Sequence, residues 1–101
     1  MNRTIQPKEL KELLEKDEET VILDVRRRTD YESDDNMIPG AVWRDPEEKE
    51  MWIENIPRDK EVVIYCVKGG SVSNSVLDFL LSKDIKARYV EGGIKAWKEA
   101  E

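Results

Sequence analysis

Three short runs constrain the fold of this chain most: "TVILDV" (20–25), "EVVIY" (61–65) and "ARYV" (87–90). They are rich in β-branched and aromatic residues, and the first two are apolar nearly throughout rather than alternating, the mark of strands buried on both faces. The stretches between them have a different period. "SVSNSVLDFLLSK" sets Val72, Val76, Leu77 and Leu80 at helical spacing, and "IKAWKEA" turns Ile94 and Trp97 inward. Ahead of the first run, "PKELKELLEK" opens on a proline suited to a first helical turn and carries Leu10, Leu13 and Leu14 on one face. Buried strands joined by helical crossovers imply an α/β fold, a parallel sheet covered on both faces. Ligands of such sheets lie beyond the carboxyl ends of the strands.

Smaller elements fill the gaps. Thr4-Ile5 is expected as a short edge strand, and "RRRTDYESDDN" as a polar stretch with one helical turn around Tyr31. Pro39-Gly40 signals a turn before a short strand at Ala41 to Trp43. Asp45-Pro46 has the form of an N-cap and a first-turn proline. The helix it opens is expected to carry Met51, Trp52 and Ile56 inward and to end at Pro57. Trp43, Trp52 and Trp97 read as core or rim packing, and Tyr31 as a space-filling residue.

A length of 101 residues suits one domain, 1–101, with a single modest core. Lys and Arg number 17 against 23 Asp and Glu, and the resulting charge of −6 argues against nucleic acid as a partner. No apolar run approaches the ~18–20 residues of a membrane helix, so no membrane partner is expected. The charged N-terminus does not read as a signal peptide. One cysteine cannot form an internal disulfide, so a cytoplasmic location is expected. The absence of histidine removes Cys–His and Ser–His–Asp machinery and leaves no expected metal site. The acidic runs "DPEEKE" and "DEET" read as solvated faces without ligand spacing.

The lone thiol sits at an informative place. Cys66 follows a buried strand, and "CVKGGS" (66–71) leads into a helix. Gly69 and Gly70 can adopt positive φ, so successive N–H groups can turn inward as an anion-binding nest. The helix start near Val72 adds unsatisfied N–H groups, and Lys68 adds a full charge. These features favour a thiolate at Cys66 and an anionic substrate in the same cradle. The plain alternative is a small buried hydrophobe at a strand end. An ionised thiol needs no general base. Phosphate-ester chemistry of the Cys-x5-Arg kind is disfavoured because Val72 stands six positions after Cys66, and thioredoxin-like chemistry because no second cysteine follows.

Taken together, these residues resemble the rhodanese family of sulfurtransferases. "VILDVR" (21–26), "MIPGAVW" (37–43), "VVIYCVKGG" (62–70) and "ARYVEGGIKAW" (87–97) resemble four elements of that family in its own order. The resemblance implies a rhodanese-like α/β domain, with a central parallel sheet of about five strands flanked by helices on both faces. It implies a nucleophile at Cys66 that takes a sulfane sulfur from thiosulfate or a similar donor and holds it as a persulfide. The active-site loop of Val67, Lys68, Gly69, Gly70, Ser71 and Val72 would cradle that persulfide with its N–H groups. Asp24 and Arg26 match supporting positions. Asp24 reads as a strand-end carboxylate that accepts loop or backbone hydrogen bonds, more structural than catalytic. Arg26 either guides the anionic donor or, as one of three consecutive arginines, lies at the surface.

The implied partners are a small anionic sulfur donor and a cyanide, thiol or protein-thiol acceptor. No cofactor is implied, and a monomer is expected. The chain also departs from the family pattern. Ser71 and Val72 stand where many active members carry arginine and serine, and Met37 stands where histidine is usual. The six-residue loop has the length associated with sulfur transfer, and its "CVKGGSVS" form resembles a minor branch that includes domains of chromate-resistance proteins. Two readings stay open beside a thiosulfate sulfurtransferase: a low-turnover or non-enzymatic sulfur carrier or interaction module, and, more remotely, an oxyanion-handling thiol.

Overall fold

The three runs become the interior of a five-stranded, wholly parallel sheet. The computed structural model describes residues 3–16, 19–34 and 36–100. Asp17 and Glu18 of the acidic run, and Asp35 of the polar stretch, lie outside the described residues. In chain order the strands are β1 (Thr4–Ile5), β2 (Val21–Asp24), β3 (Ala41–Trp43), β4 (Val62–Tyr65) and β5 (Ala87–Val90). The helices are α1 (Pro7–Lys16), α2 (Arg28–Ser33), α3 (Lys49–Trp52), α4 (Ser71–Ser82) and α5 (Gly93–Glu99). Across the sheet the order is β1-β5-β4-β2-β3, with β4 in the middle. All four residues of β4 are buried, as two covered faces require.

Strand alternation divides the core in two. Val62 and Ile64 of β4 face Leu23, Trp52, Val76, Leu77 and Leu80. Val63 and Tyr65 face Ile22, Leu10, Ile94 and Trp97 on the other side. Thus α4 and the α3 region cover one face, and α1 and α5 the other. Leu10 and Leu77 are fully buried, and truncating such a leucine to alanine costs about 2–5 kcal/mol. Leu13 and Leu14 are partly buried against the same layer as Leu10, as the helical spacing predicts.

The segment after β3 departs from expectation. Asp45 does cap it, accepting from the Glu47 N–H at 3.0 Å, and Pro46 occupies the first turn. The rest is not one helix. Pro46–Glu48 and Ile53–Asn55 are 3₁₀ turns flanking the single α-turn Lys49–Trp52. A 3₁₀ turn has about 3.0 residues per turn, so residues three apart eclipse each other. Ile53 and Ile56 therefore share the buried side with Trp52, and Met51, expected inward, is 73% exposed.

Register aligns the chemistry. Asp24 of β2 pairs with Tyr65 of β4 and with Trp43 of β3. The Val25 N–H donates to the Tyr65 carbonyl at 2.9 Å, which extends the ladder one step further. Arg26 and Cys66 therefore leave adjacent strands at the same carboxyl edge. No described helix is long and apolar enough to cross a membrane.

Candidate active site

Cys66 follows the last residue of the central strand directly, and it is buried, with 6% of its surface exposed. Its backbone is fastened from the far end of the chain. The Ile94 N–H donates to the Cys66 carbonyl at 2.9 Å, and the Lys95 N–H to the Val67 carbonyl at 3.2 Å. The start of α5 therefore clamps the start of the loop. The loop's other side lies against the same turn. Gly69 has φ +74°, and a Cβ there would stand 2.9 Å from the Gly92 nitrogen, so only glycine lets the loop lie this close.

Beyond Gly69 the loop runs straight into α4. Gly70 occupies the N-cap position with no side-chain cap, and the Asn74 N–H is the first to find a carbonyl, that of Gly70. Among the described residues, the N–H groups of 67–73 donate to no backbone carbonyl. They also make no hydrogen bond to the Cys66 sulfur itself. The start of α4 thus leaves these main-chain donors without a backbone partner, as helix starts do.

That space is a hollow of about 280 Å³. Cys66, Val67, Lys68, Gly70, Ser71 and Val72 form one wall, and Arg26, Arg27 and Asp30 the other. A second hollow of about 480 Å³ adjoins it, sharing Arg27, Ser71 and Val72 and running on to Pro46, Lys49 and Ser75.

Asp24 and Arg26 are brought together beneath this edge as a buried ion pair, their side chains 0% and 1% exposed. Arg26 Nε donates to both Asp24 oxygens at 3.0 and 2.9 Å, and Nη2 donates to Oδ2 at 2.6 Å. The guanidinium also donates to the carbonyls of Asp34 at 2.9 Å and Asn36 at 3.1 Å. Tyr65 completes the cluster: its hydroxyl donates to Asp24 Oδ2 at 3.1 Å and accepts from the Ile38 N–H at 3.2 Å. Burial, then the neighbouring Asp24 carboxylate, holds that phenol protonated well above its ordinary range. Burial opposes the charge on Arg26, but the Asp24 hydrogen bonds and charge outweigh it, so its pKa is raised. The cluster thus ties β2, β4 and the 34–38 segment together, with Asp24 accepting from the Arg26 N–H at 3.0 Å as well. Arg26 is not a surface residue, although it borders the hollow.

Nothing in the sequence singles out Arg27 or Asp30. Both are exposed and both face the hollow. Composition offers no way to tell which of three consecutive arginines lies exposed beside the hollow; the buried pairing of Arg26 with Asp24 sets that phase. Around the rim, Tyr31 stacks on Trp43 with centroids 4.6 Å apart and planes 6° from parallel. The Trp43 indole N–H donates to the Arg26 carbonyl at 2.9 Å, so this aromatic pair braces the strand end that carries the two arginines.

Comparison with known proteins agrees with this geometry. The family model for the rhodanese-like domain matches residues 6–100. The chain is 40% identical over 92 residues to "Putative sulfurtransferase YtwF" of Bacillus subtilis, covering 88% of this chain and 84% of that one. It is 34% identical over 80 residues, 79% of its length, to a tRNA sulfurtransferase of Desulfurococcus amylolyticus, of which it spans only 15%. Among solved structures, a rhodanese-related protein from Thermoplasma volcanium superposes with TM-score 0.83 at 26% identity, covering 97% of this chain and 92% of that one. A rhodanese-like domain protein from Staphylococcus aureus also superposes with TM-score 0.83, at 29% identity, covering 96% and 91%. With its parallel five-stranded sheet and a cysteine at the carboxyl edge of the central strand, the chain belongs to the rhodanese-like domain family.

Proposed function

We propose that the protein is a sulfurtransferase that works through a persulfide on Cys66, with thiosulfate or a similar anion as donor. The observation that carries this reading is the hollow over Cys66, lined by Lys68 and by loop residues whose N–H groups have, among the described residues, no main-chain partner. In the first half-reaction the Cys66 thiolate attacks the outer sulfur of thiosulfate. A new S–S bond forms, the donor's S–S bond breaks, and sulfite leaves with the electron pair. The outer sulfur then lies about 2 Å beyond Sγ, out in the hollow, and on this reading the 67–72 amides receive its negative charge. That position accounts for amides that do not bond Sγ itself.

In the second half-reaction cyanide or a thiolate attacks the outer sulfur, and the Cys66 thiolate is the leaving group. Asp24, Arg26 and Tyr65 act as the frame that fixes the strand end. The family membership and the sulfurtransferase relatives support the same chemistry. The test is intact mass after incubation with thiosulfate. Wild type gains one sulfur atom, and Cys66→Ser gains none; a wild type left unmodified overturns the reading.

One observation favours a second reading, a sulfur carrier of low turnover on the same fold. Ser71 at the loop end brings no charge into the cradle. On this reading the persulfide forms, but steady-state transfer to cyanide is slow. Fast turnover rules it out.

A further inference from the structure

We propose that Arg27 is the anion-selecting residue of the Cys66 site, recruiting substrates that carry an oxyanion beside the reactive atom. The inference deepens the sulfurtransferase reading and rests on it for the identity of the donor.

Four observations converge on this residue. First, the loop itself supplies one cation, Lys68, and ends on Ser71. Lysine is a point charge on a flexible stem, without the planar fork that matches an oxyanion. Second, the wall facing the loop carries Arg27 and Arg26. Arg26 is committed to Asp24 and to two carbonyls.

Third, among the described residues the neighbouring arginines are engaged while Arg27 is not. Arg28 lies 3.6 Å from an Asp45 oxygen and over the Trp43 ring, and Arg44 donates to the Trp43 carbonyl at 3.3 Å. Among the described residues, no ion pair or side-chain hydrogen bond occupies the Arg27 guanidinium. Its backbone is nevertheless held: the carbonyl accepts from the Tyr31 N–H at 2.9 Å as α2 begins. An anchored backbone with an unengaged guanidinium beside a nucleophile is suited to bind an incoming oxyanion in bidentate fashion. Fourth, Arg27 borders both hollows, so an anion seated on it keeps its reactive end in the first while any longer tail follows the second. Asp30, on the same wall, is the one carboxylate bordering the first hollow among the described residues, and it opposes the recruitment.

The test compares two alkylating agents that differ in charge and share one reaction, displacement of iodide by the Cys66 thiolate. Iodoacetate carries a carboxylate, and iodoacetamide is neutral. The fraction of thiolate affects both rates equally, so their ratio isolates anion recruitment. Arg27→Ala lowers the iodoacetate-to-iodoacetamide ratio about tenfold, the scale of electrostatic focusing in a cleft. Asp30→Asn raises the ratio. Arg58→Ala, which removes the same charge near the amino end of β4, leaves it unchanged. An unaltered ratio in Arg27→Ala, or an equal fall in Arg58→Ala, overturns the proposal. The iodoacetamide rate reports that each variant keeps its site. Persulfide formation from thiosulfate is measured in parallel. A wild type that takes no sulfur yet shows the Arg27-dependent ratio defeats the sulfurtransferase reading and leaves the anion site standing. A wild type that takes sulfur with a ratio indifferent to Arg27 does the reverse.

Discussion

Gly93 lies against the backbone of Cys66 so closely that a Cβ on it would stand 2.4 Å from the Cys66 carbonyl oxygen and 2.5 Å from that of Val67. No side chain can yield there, because the atoms met are main chain. Gly93 also has φ +64°, a conformation that costs an ordinary residue about 1–2 kcal/mol. The closing turn is therefore part of the mounting of Cys66, although it is far from that residue in sequence.

Gly93→Ala is expected to unseat the loop. The variant has to break the Ile94-to-Cys66 hydrogen bond or shift the loop outward. Gly40 serves as the comparison: it has φ +85°, but a Cβ there meets nothing within 4 Å. Gly40→Ala should thus cost only the conformational term of about 1–2 kcal/mol and leave Cys66 alkylation unchanged. Gly93→Ala should cost clearly more and slow alkylation. Urea midpoints together with the alkylation rate separate the two; equal effects of both substitutions would show that the backbone collision is absorbed elsewhere.

The Asp24–Arg26 pair predicts a steep asymmetry between partners and a poor result for conservative replacement. Arg26→Ala removes the guanidinium that pairs a buried carboxylate and two carbonyls, at a cost of about 3–5 kcal/mol. Arg26→Lys should recover little, because an ammonium cannot reach Asp24 and the 34 and 36 carbonyls from one planar fork. Tyr65→Phe removes one donor to Asp24 and the acceptor for the Ile38 N–H, at about 1–3 kcal/mol. Denaturant unfolding ranks the three. A lysine variant as stable as wild type would show that charge alone holds this corner.

These cases show which features the sequence carries openly. The strands were legible because β2 and β4 are buried on both faces, and unbroken β-branched runs have few other uses. The place of Cys66 at the carboxyl end of a buried strand was legible because the thiol directly follows an unbroken apolar run and precedes two glycines. Met51 was misplaced because periodicity assumes one helix type, and two 3₁₀ turns shift the phase across that segment. Gly92-Gly93 could be read only as a turn, since the reason for Gly93 is the backbone of the loop after β4, distant in sequence. Arg27 could not be separated from its neighbours until the buried pairing of Arg26 was known.

Acid should release one surface tie selectively. Lys98 of α5 donates to the Asp34 carboxylate, and this bond, followed by the Asn36 N–H, lowers the Asp34 pKa from 3.8 to about 2. A folded-state value below the unfolded one stabilises the fold in full above pH 3.8, and that contribution is lost as pH falls through about 2. The thermal midpoint of wild type should exceed that of Lys98→Met at neutral pH, and the gap should close towards pH 2. The Lys98 and Asp34 side chains are 42% and 35% exposed, so salt should narrow the gap as well. A gap that persists undiminished at low pH would assign it to packing of the Lys98 stem instead.

Ser71→Arg asks whether the cradle is short of charge. Ser71 is exposed, borders both hollows and is the first residue of α4, so a longer side chain has room. A cation at a helix N-terminus meets the positive end of the dipole and costs about 0.3–1 kcal/mol, so the thermal midpoint should fall slightly. Turnover of thiosulfate with cyanide should nonetheless rise, by about tenfold if focusing of the anion limits the rate. The gain should be larger in an Arg27→Ala background than in wild type, because two cations serving one oxyanion partly substitute for each other. Identical gains in both backgrounds would mean that Arg27 and the loop end act on different steps. No gain in either would mean that the missing loop charge does not limit turnover, and the carrier reading would lose the observation that motivates it.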